Sequence, residues 1–234
     1  MALPKLNDLP SYSLVIPSSK RQVNFRPFLV KEQKILLLAM ESQEEKQILQ
    51  AISDTLKSCI EDEIADRELA TFDIEYMFTQ IRAKSVGETT KLNLTCKHCE
   101  AVNEVEVNLT EININTDLQN EIKINDTYTL LMRYPSYRDI INVASDVKST
   151  TDEIMELCKL CLDKILTEDE QISIRDESEE EITNFLESLT TDQFDKVVNF
   201  VMSLPKLEKD IIFNCSECEE QNELKVEGLQ NFLA

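Results

Sequence analysis

The 234-residue chain is 42% hydrophobic and 29% charged, ordinary for a protein with a core of its own, and its longest apolar run, residues 35–40, is too short to cross a bilayer. Its 45 acidic and 24 basic residues leave a net charge of −21, which repels phosphate backbones and anionic lipid alike, so neither nucleic acid nor membrane is an expected partner. Two glycines, one histidine and no tryptophan remove glycine-rich phosphate cradles, most histidine acid–base chemistry and base stacking, so a conventional enzyme is not expected.

No basic segment followed by an apolar one opens the sequence, so the chain is expected in the cytosol, where paired cysteines more often hold metal or do redox chemistry than form structural disulfides. Residues 12–16 (YSLVI) and 22–28 (QVNFRPF) read as short strands about a Pro-Ser-Ser turn, with Pro27 confining the second to an edge. From Lys31 the spacing turns helical: Ile35 and Leu38, then Leu49, Ile52 and Leu56, recur at three and four. A third helix, TFDIEYMFTQIRAKS, places Phe72, Tyr76 and Ile81 on an apolar face and ends near Gly87.

A β-hairpin then carries Cys96 and Cys99 and runs to about Leu109. EININT (111–116) and EIKINDTYTLLMRY (121–134) alternate at period two, with Asn125-Asp126 as a turn. Residues 137–201 read as mostly helical, with capping-box starts at Ser178 to Glu181 and Thr190 to Gln193. Pro205 stops the last helix, a second cysteine hairpin begins near Ile211, and GLQNFLA closes the sequence as a small apolar hook.

The expected fold class is α+β, predominantly helical, with short antiparallel strands and a split zinc-ribbon-like pair of CxxC hairpins. Four parts follow: an N-terminal hairpin plus helices (1–89), a ribbon-like module divided between 90–109 and 210–228, an inserted strand and helical region (110–209), and a tail (229–234).

Three of the cysteine pairings have CxxC spacing. Cys158 and Cys161 lie on one apolar helical stripe with 154, 157, 162 and 165, and read as core, as does Cys59 at a helix end. The outer pairs are repeats: LNLTCKHCEAVNEVEVNL beside IIFNCSECEEQNELKVEGL aligns Asn103-Glu104 with Asn222-Glu223 and each CxxC with two alternating strands. Cys96, Cys99, Cys215 and Cys218 together supply four soft thiolates, which suit tetrahedral Zn²⁺ in a closed structural site. The 115 residues between the pairs far exceed the roughly 15–20 of a compact ribbon, so the ribbon must close across an inserted domain. Closing so long a loop adds only a slowly growing entropy cost, against about 10–16 kcal/mol of metal-binding energy.

Two other classes remain open. A zinc-ribbon protein-binding module that modifies a host complex, such as its transcription machinery, would want a basic patch, whereas Glu100, Glu104, Glu106, Glu217, Glu219, Glu220 and Glu223 crowd the cysteines. A thiol–disulfide oxidoreductase could use Lys97 and His98 to lower a thiol pKa, but it needs a CxxC opening a helix, and here the pair lies between strands. His98 itself reads as an exposed knuckle residue.

The blocks FRPFLVKEQKILLLA (Phe25 to Ala39) and RAKSVGE (Arg82 to Glu88), with the hairpin ending NEVEVNL and the terminal NELKVEGLQNF, follow in an order that resembles the baseplate hub assembly protein family of T-even-type contractile-tailed bacteriophages. The resemblance spans nearly the whole chain. It implies a non-enzymatic phage protein made in the host cytoplasm, needed to build the central hub of the tail baseplate. It would act as an assembly chaperone or hub component among hub and tape-measure proteins, and no catalytic residues carry over. Candidate contact surfaces are the stripe Ile35–Met40 and the terminal GLQNFLA, although such stripes more often pack inside their own domain.

Overall fold

A computed structural model describes residues 9–65, 69–112, 114, 116, 118–143 and 150–232. They fall into two compact units: Met1–Ala65, Phe72–Asn115 and Lys206–Ala234 form the first, Asp66–Thr71 and Thr116–Pro205 the second. The architecture mixes helix with antiparallel sheet in both. Among the described residues no helix is long and apolar enough to cross a membrane.

The first unit opens with β1 (Tyr12–Val15) and β2 (Gln22–Phe25), antiparallel with Tyr12 opposite Phe25. Alternation buries Leu14, Val23 and Phe25 on one face. The turn between them is pinned by a buried carboxylate: Asp73 accepts the Ser18 amide at 2.9 Å and the Ser18 hydroxyl at 2.6 Å. Then come α1 (Val30–Ser42) and α2 (Glu45–Cys59), joined through Gln43 in the left-handed region at φ 57°. The next helix, α3 (Thr71–Ser85), buries Phe72, Ile74, Met77, Phe78 and Ile81 and so forms the unit's central element. β3 (Thr89–Thr95) and β4 (Val102–Asn108) pair antiparallel from Thr89–Asn108 to Thr95–Val102.

The second unit is built on a four-stranded antiparallel sheet: β5 (Glu121–Lys123), β6 (Thr129–Met132), then, after α4 (Tyr137–Val143) and α5 (Thr150–Cys161), β7 (Leu162–Leu166) and β8 (Gln171–Ser173). Asn125 makes the turn between the first two, its side chain accepting the amides of Thr127 and Tyr128. Two helices follow, α6 (Glu179–Glu187) and α7 (Thr191–Met202). Both begin at the expected caps: Glu181 accepts the Ser178 amide at 3.0 Å and Gln193 the Thr190 amide at 3.0 Å. Leu130, Met132, Cys158, Cys161, Leu162, Leu186, Val197 and Phe200 make the core of this unit.

Two expectations fail here. The helical stripe through residues 154–165 ends at Cys161, and Leu162–Leu166 continue as strand, Ile165 lying opposite Leu130 and Ile172. A short apolar run fits either period, and the two flanking strands decide for sheet. EININT forms no strand among its described residues: Leu109–Glu111 is a 3₁₀ turn, and 113 and 115 lie outside the described set. The chain then returns to the first unit as β9 (Glu208–Asn214) and β10 (Gln221–Glu227), followed by a 3₁₀ turn at Leu229–Phe232.

Candidate metal centre

The two CxxC turns are backbone copies of each other. In one, the Cys96 amide donates to Ala101 O at 2.9 Å and the Glu100 amide to Cys96 O at 3.1 Å; in the other, the Cys215 amide donates to Glu220 O at 3.0 Å and the Glu219 amide to Cys215 O at 3.1 Å. Each turn closes through a glutamate in the left-handed region, Glu100 at φ 62° and Glu219 at φ 61°. This is a position where glycine is the low-strain choice.

The turns face each other within the first unit. Cys96 Sγ lies 3.7 Å from Cys218 Sγ, and Cys99 Sγ lies 3.6 Å from Cys215 Sγ. All four sulfurs sit within 4.8 Å of one another. Bonded sulfurs stand about 2.05 Å apart, so these are free thiols. A tetrahedral ion with metal–sulfur bonds of about 2.3 Å spaces its sulfurs at about 3.8 Å, close to what is found. The four cysteines named from the repeat are therefore together and could hold a metal ion, and His98 is exposed and outside the cluster.

Donors already surround the sulfurs. Backbone amides of His98 and Glu217 point at Cys96 and Cys215, each at 3.4 Å. Two asparagines cross from one hairpin to the other. Asn222 donates to Cys96 Sγ at 3.4 Å and Asn103 to Cys215 Sγ at 3.6 Å, while their carbonyl oxygens accept the amides of Lys97 and Ser216, each at 2.8 Å. The repeat placed these asparagines in register but left them without a role; the crossing is a property of the assembled pair.

The consequence for charge is uneven. The Cys218 and Glu217 amides pull the Cys215 thiol down to about 6. Burial opposes ionisation of Cys96, but the His98 and Cys99 amides and Asn222 outweigh it and hold its pKa low. Cys99 and Cys218 go the other way. The Ala101 amide favours a thiolate at Cys99 and the Glu220 amide one at Cys218, yet the neighbouring sulfurs outweigh them and Cys218 is pushed to about 12. Two thiolates thus oppose two more, and a divalent cation would supply the counter-charge for all four to ionise.

The far ends of the hairpins are tied as well. Lys209 on β9 donates to Asn108 O and to Glu111 Oε2, each at 3.0 Å. Burial raises the pKa of Glu75 on α3, while the amides of Leu207 and Leu229 donate to it and anchor the returning chain. Within the terminal GLQNFLA, Leu229 and Phe232 are buried in the core of this unit, and 233 and 234 lie outside the described residues. Cys59, Cys158 and Cys161 are also buried; burial pushes their thiols up to about 11, 11 and 12, as inert core residues require.

A family model described as T4 bacteriophage base plate protein matches residues 9–234. No curated protein and no solved structure matches the chain.

Proposed function

The chain belongs to the T4 bacteriophage base plate protein family, and on that premise we propose that it acts in assembling the central hub of the tail baseplate. The observation that carries this reading is the extent of the match, which takes in both hairpins and everything between them. The proposed role is non-enzymatic: the chain works as an assembly chaperone or a hub component, and its partners are hub and tape-measure proteins. It would act in the host cytoplasm while tails are built. One chemically distinctive cluster stands among the described residues, and its donor set is that of a structural metal site.

Zn²⁺ is the ion we assign to that cluster, held by Cys96, Cys99, Cys215 and Cys218 as a split ribbon. Four thiolates in a closed set suit Zn²⁺ over harder cations. Bound there, the ion neutralises charge and fastens the returning chain to the middle of the sequence. Asn103 and Asn222 orient the sulfurs.

Removing the gene from the phage and fractionating the lysate tests the role. Baseplate wedges should accumulate without hubs, and the full-length chain supplied in trans should restore them. Normal hubs in its absence would end the reading. Purified tails then separate component from chaperone, since only a component remains in them.

A further inference from the structure

The four sulfurs of the cluster are not equivalent. Cys96 and Cys215 are buried, whereas Cys99 is exposed and Cys218 half-buried. Each hairpin therefore contributes one inner and one outer sulfur. The two contacts below 4 Å join inner to outer and run between the hairpins: Cys96 to Cys218 at 3.7 Å, and Cys215 to Cys99 at 3.6 Å.

The inner sulfurs are held in place. Cys96 receives the His98 amide and the Asn222 side chain, and Cys215 receives the Glu217 amide and the Asn103 side chain. Each asparagine is fixed in turn by the backbone amide it accepts, from Lys97 or Ser216. A sulfur that solvent reaches, set beside one that is held, is the arrangement in which an oxidant takes the first and the second resolves it. Bonded sulfurs stand about 2.05 Å apart, so closing Cys215 onto Cys99 from 3.6 Å takes a movement of about 1.5 Å, within the swing of an exposed side chain about its first torsion.

We infer that the cluster is a convertible clasp, which hydrogen peroxide turns from four thiolates into two disulfides, Cys99–Cys215 and Cys96–Cys218, both crossing between the hairpins. In each pair the outer thiolate attacks a peroxide oxygen; a sulfur–oxygen bond forms, the oxygen–oxygen bond breaks and hydroxide leaves, so that the sulfur becomes a sulfenic acid. The inner thiolate then attacks that sulfur, the sulfur–sulfur bond forms, the sulfur–oxygen bond breaks and a second hydroxide leaves. Two electrons have passed from the pair to one peroxide, and two protons from solvent turn the hydroxides into water. Thiolate ligands are lost, yet the joint across residues 100–214 is kept by covalent bonds, whereas a disulfide inside either CxxC would undo it. The fastening thus outlasts the reducing compartment in which the chain is made. The inference goes beyond the assembly reading and needs only the cluster, not the identity of its ion.

The test is a peroxide titration of the purified full-length chain, with unreacted thiols blocked and peptides mapped without reductant. Trypsin cleaves after Lys97 and a glutamate-specific protease after Glu217, which puts the four cysteines on separate peptides. The crossing linkages Cys99–Cys215 and Cys96–Cys218 should exceed Cys96–Cys99 and Cys215–Cys218 at least tenfold, and released ion, counted with a chromophoric chelator, should rise in step with them. An oxidised chain nicked between residues 110 and 209 should run as one species on a denaturing gel and separate into two with dithiothreitol. A smaller excess or the reverse overturns the inference. So do linkages to Cys59, Cys158, Cys161 or a second chain, and sulfinic acid without linkage. The same crossing linkages in a chain that purifies without an ion would keep the inference and end the assignment of Zn²⁺, and the phage lacking the gene reports on the assembly role separately.

Discussion

Asn222 stands 126 positions after Cys96, yet its side-chain amide donates to the Cys96 sulfur at 3.4 Å and its oxygen receives the amide of the next residue, Lys97. Asn103 does the same for Cys215 and Ser216. Each hairpin thus supplies the outer donor for the other's thiolate, and neither cysteine turn is complete alone. Replacing Asn222 with Ala should weaken metal binding by about 10- to 100-fold, the usual effect of removing a group that orients a ligand. Competition with a chromophoric chelator measures it, and Asn103→Ala should match it within a few-fold.

A shared site also makes a stoichiometric prediction. Cys99→Ser and Cys218→Ser lie on different hairpins, yet each should remove the metal from the purified protein. Elemental analysis should fall from one ion per chain to a small fraction of one in both. Retention of a full equivalent by either variant would mean that the hairpins do not share an ion.

The acid anchor of α1 predicts a pH dependence. Burial opposes the charge of Glu32, but the Arg26 guanidinium, the Leu29 amide and Lys31 outweigh it, so its folded pKa lies below the usual carboxylate value. Its contribution is complete above the unfolded value of about 4.3 and fades as pH falls through the folded one. Glu32→Gln should cost about 2–3 kcal/mol at pH 7, because it strands Arg26. Denaturant titrations should show the gap between the two proteins narrowing as pH falls below the unfolded value, and a gap that widens in acid would contradict the assignment.

Phe232 is fully buried in the first unit, two residues before the last sequence position. Phe232→Ala should therefore lower the stability of that unit by about 3–4 kcal/mol, read as a shifted urea midpoint with little change in slope. Removing residues 229–234 should destabilise it further. A truncated chain as stable as the parent would return this segment to the list of contact surfaces.

Glu100 and Glu219 close their turns with positive φ. Glu100→Gly should leave metal stoichiometry unchanged and relieve strain of about 1 kcal/mol, partly offset by the freer unfolded chain. Thermal melting of the metal-loaded protein, at equal metal concentration, is the measurement.

The cysteine repeat was legible because four soft ligands with matched flanks leave few other arrangements, and the flanking alternation placed them between strands. The crossing asparagines were visible only as a register match, since no local pattern states which hairpin a side chain will serve. Residues 162–166 were misread because their spacing suits both periods and the deciding neighbours, Leu130 and Ile172, come from two other strands. Glu32 gave no warning at all. In KEQK it reads as a solvated residue, and its burial depends on Arg26 reaching it across a proline-containing turn. Of the two apolar segments singled out in the sequence, the terminal one buries Leu229 and Phe232, whereas Ile35, Leu37, Leu38 and Met40 of the α1 stripe are exposed.

The 115 residues that divide the cysteine pairs also divide them in time. A ribosome adding about 5–20 residues per second needs roughly 6–23 s to travel from the first pair to the second. For that interval the nascent chain carries only a two-sulfur clasp. The set of four sulfurs is complete only once Cys218 has been added, by which point every residue of the second unit has been made. Chains cut short before that point would lack the fastening, and a protease could tell finished copies from aborted ones by this clasp.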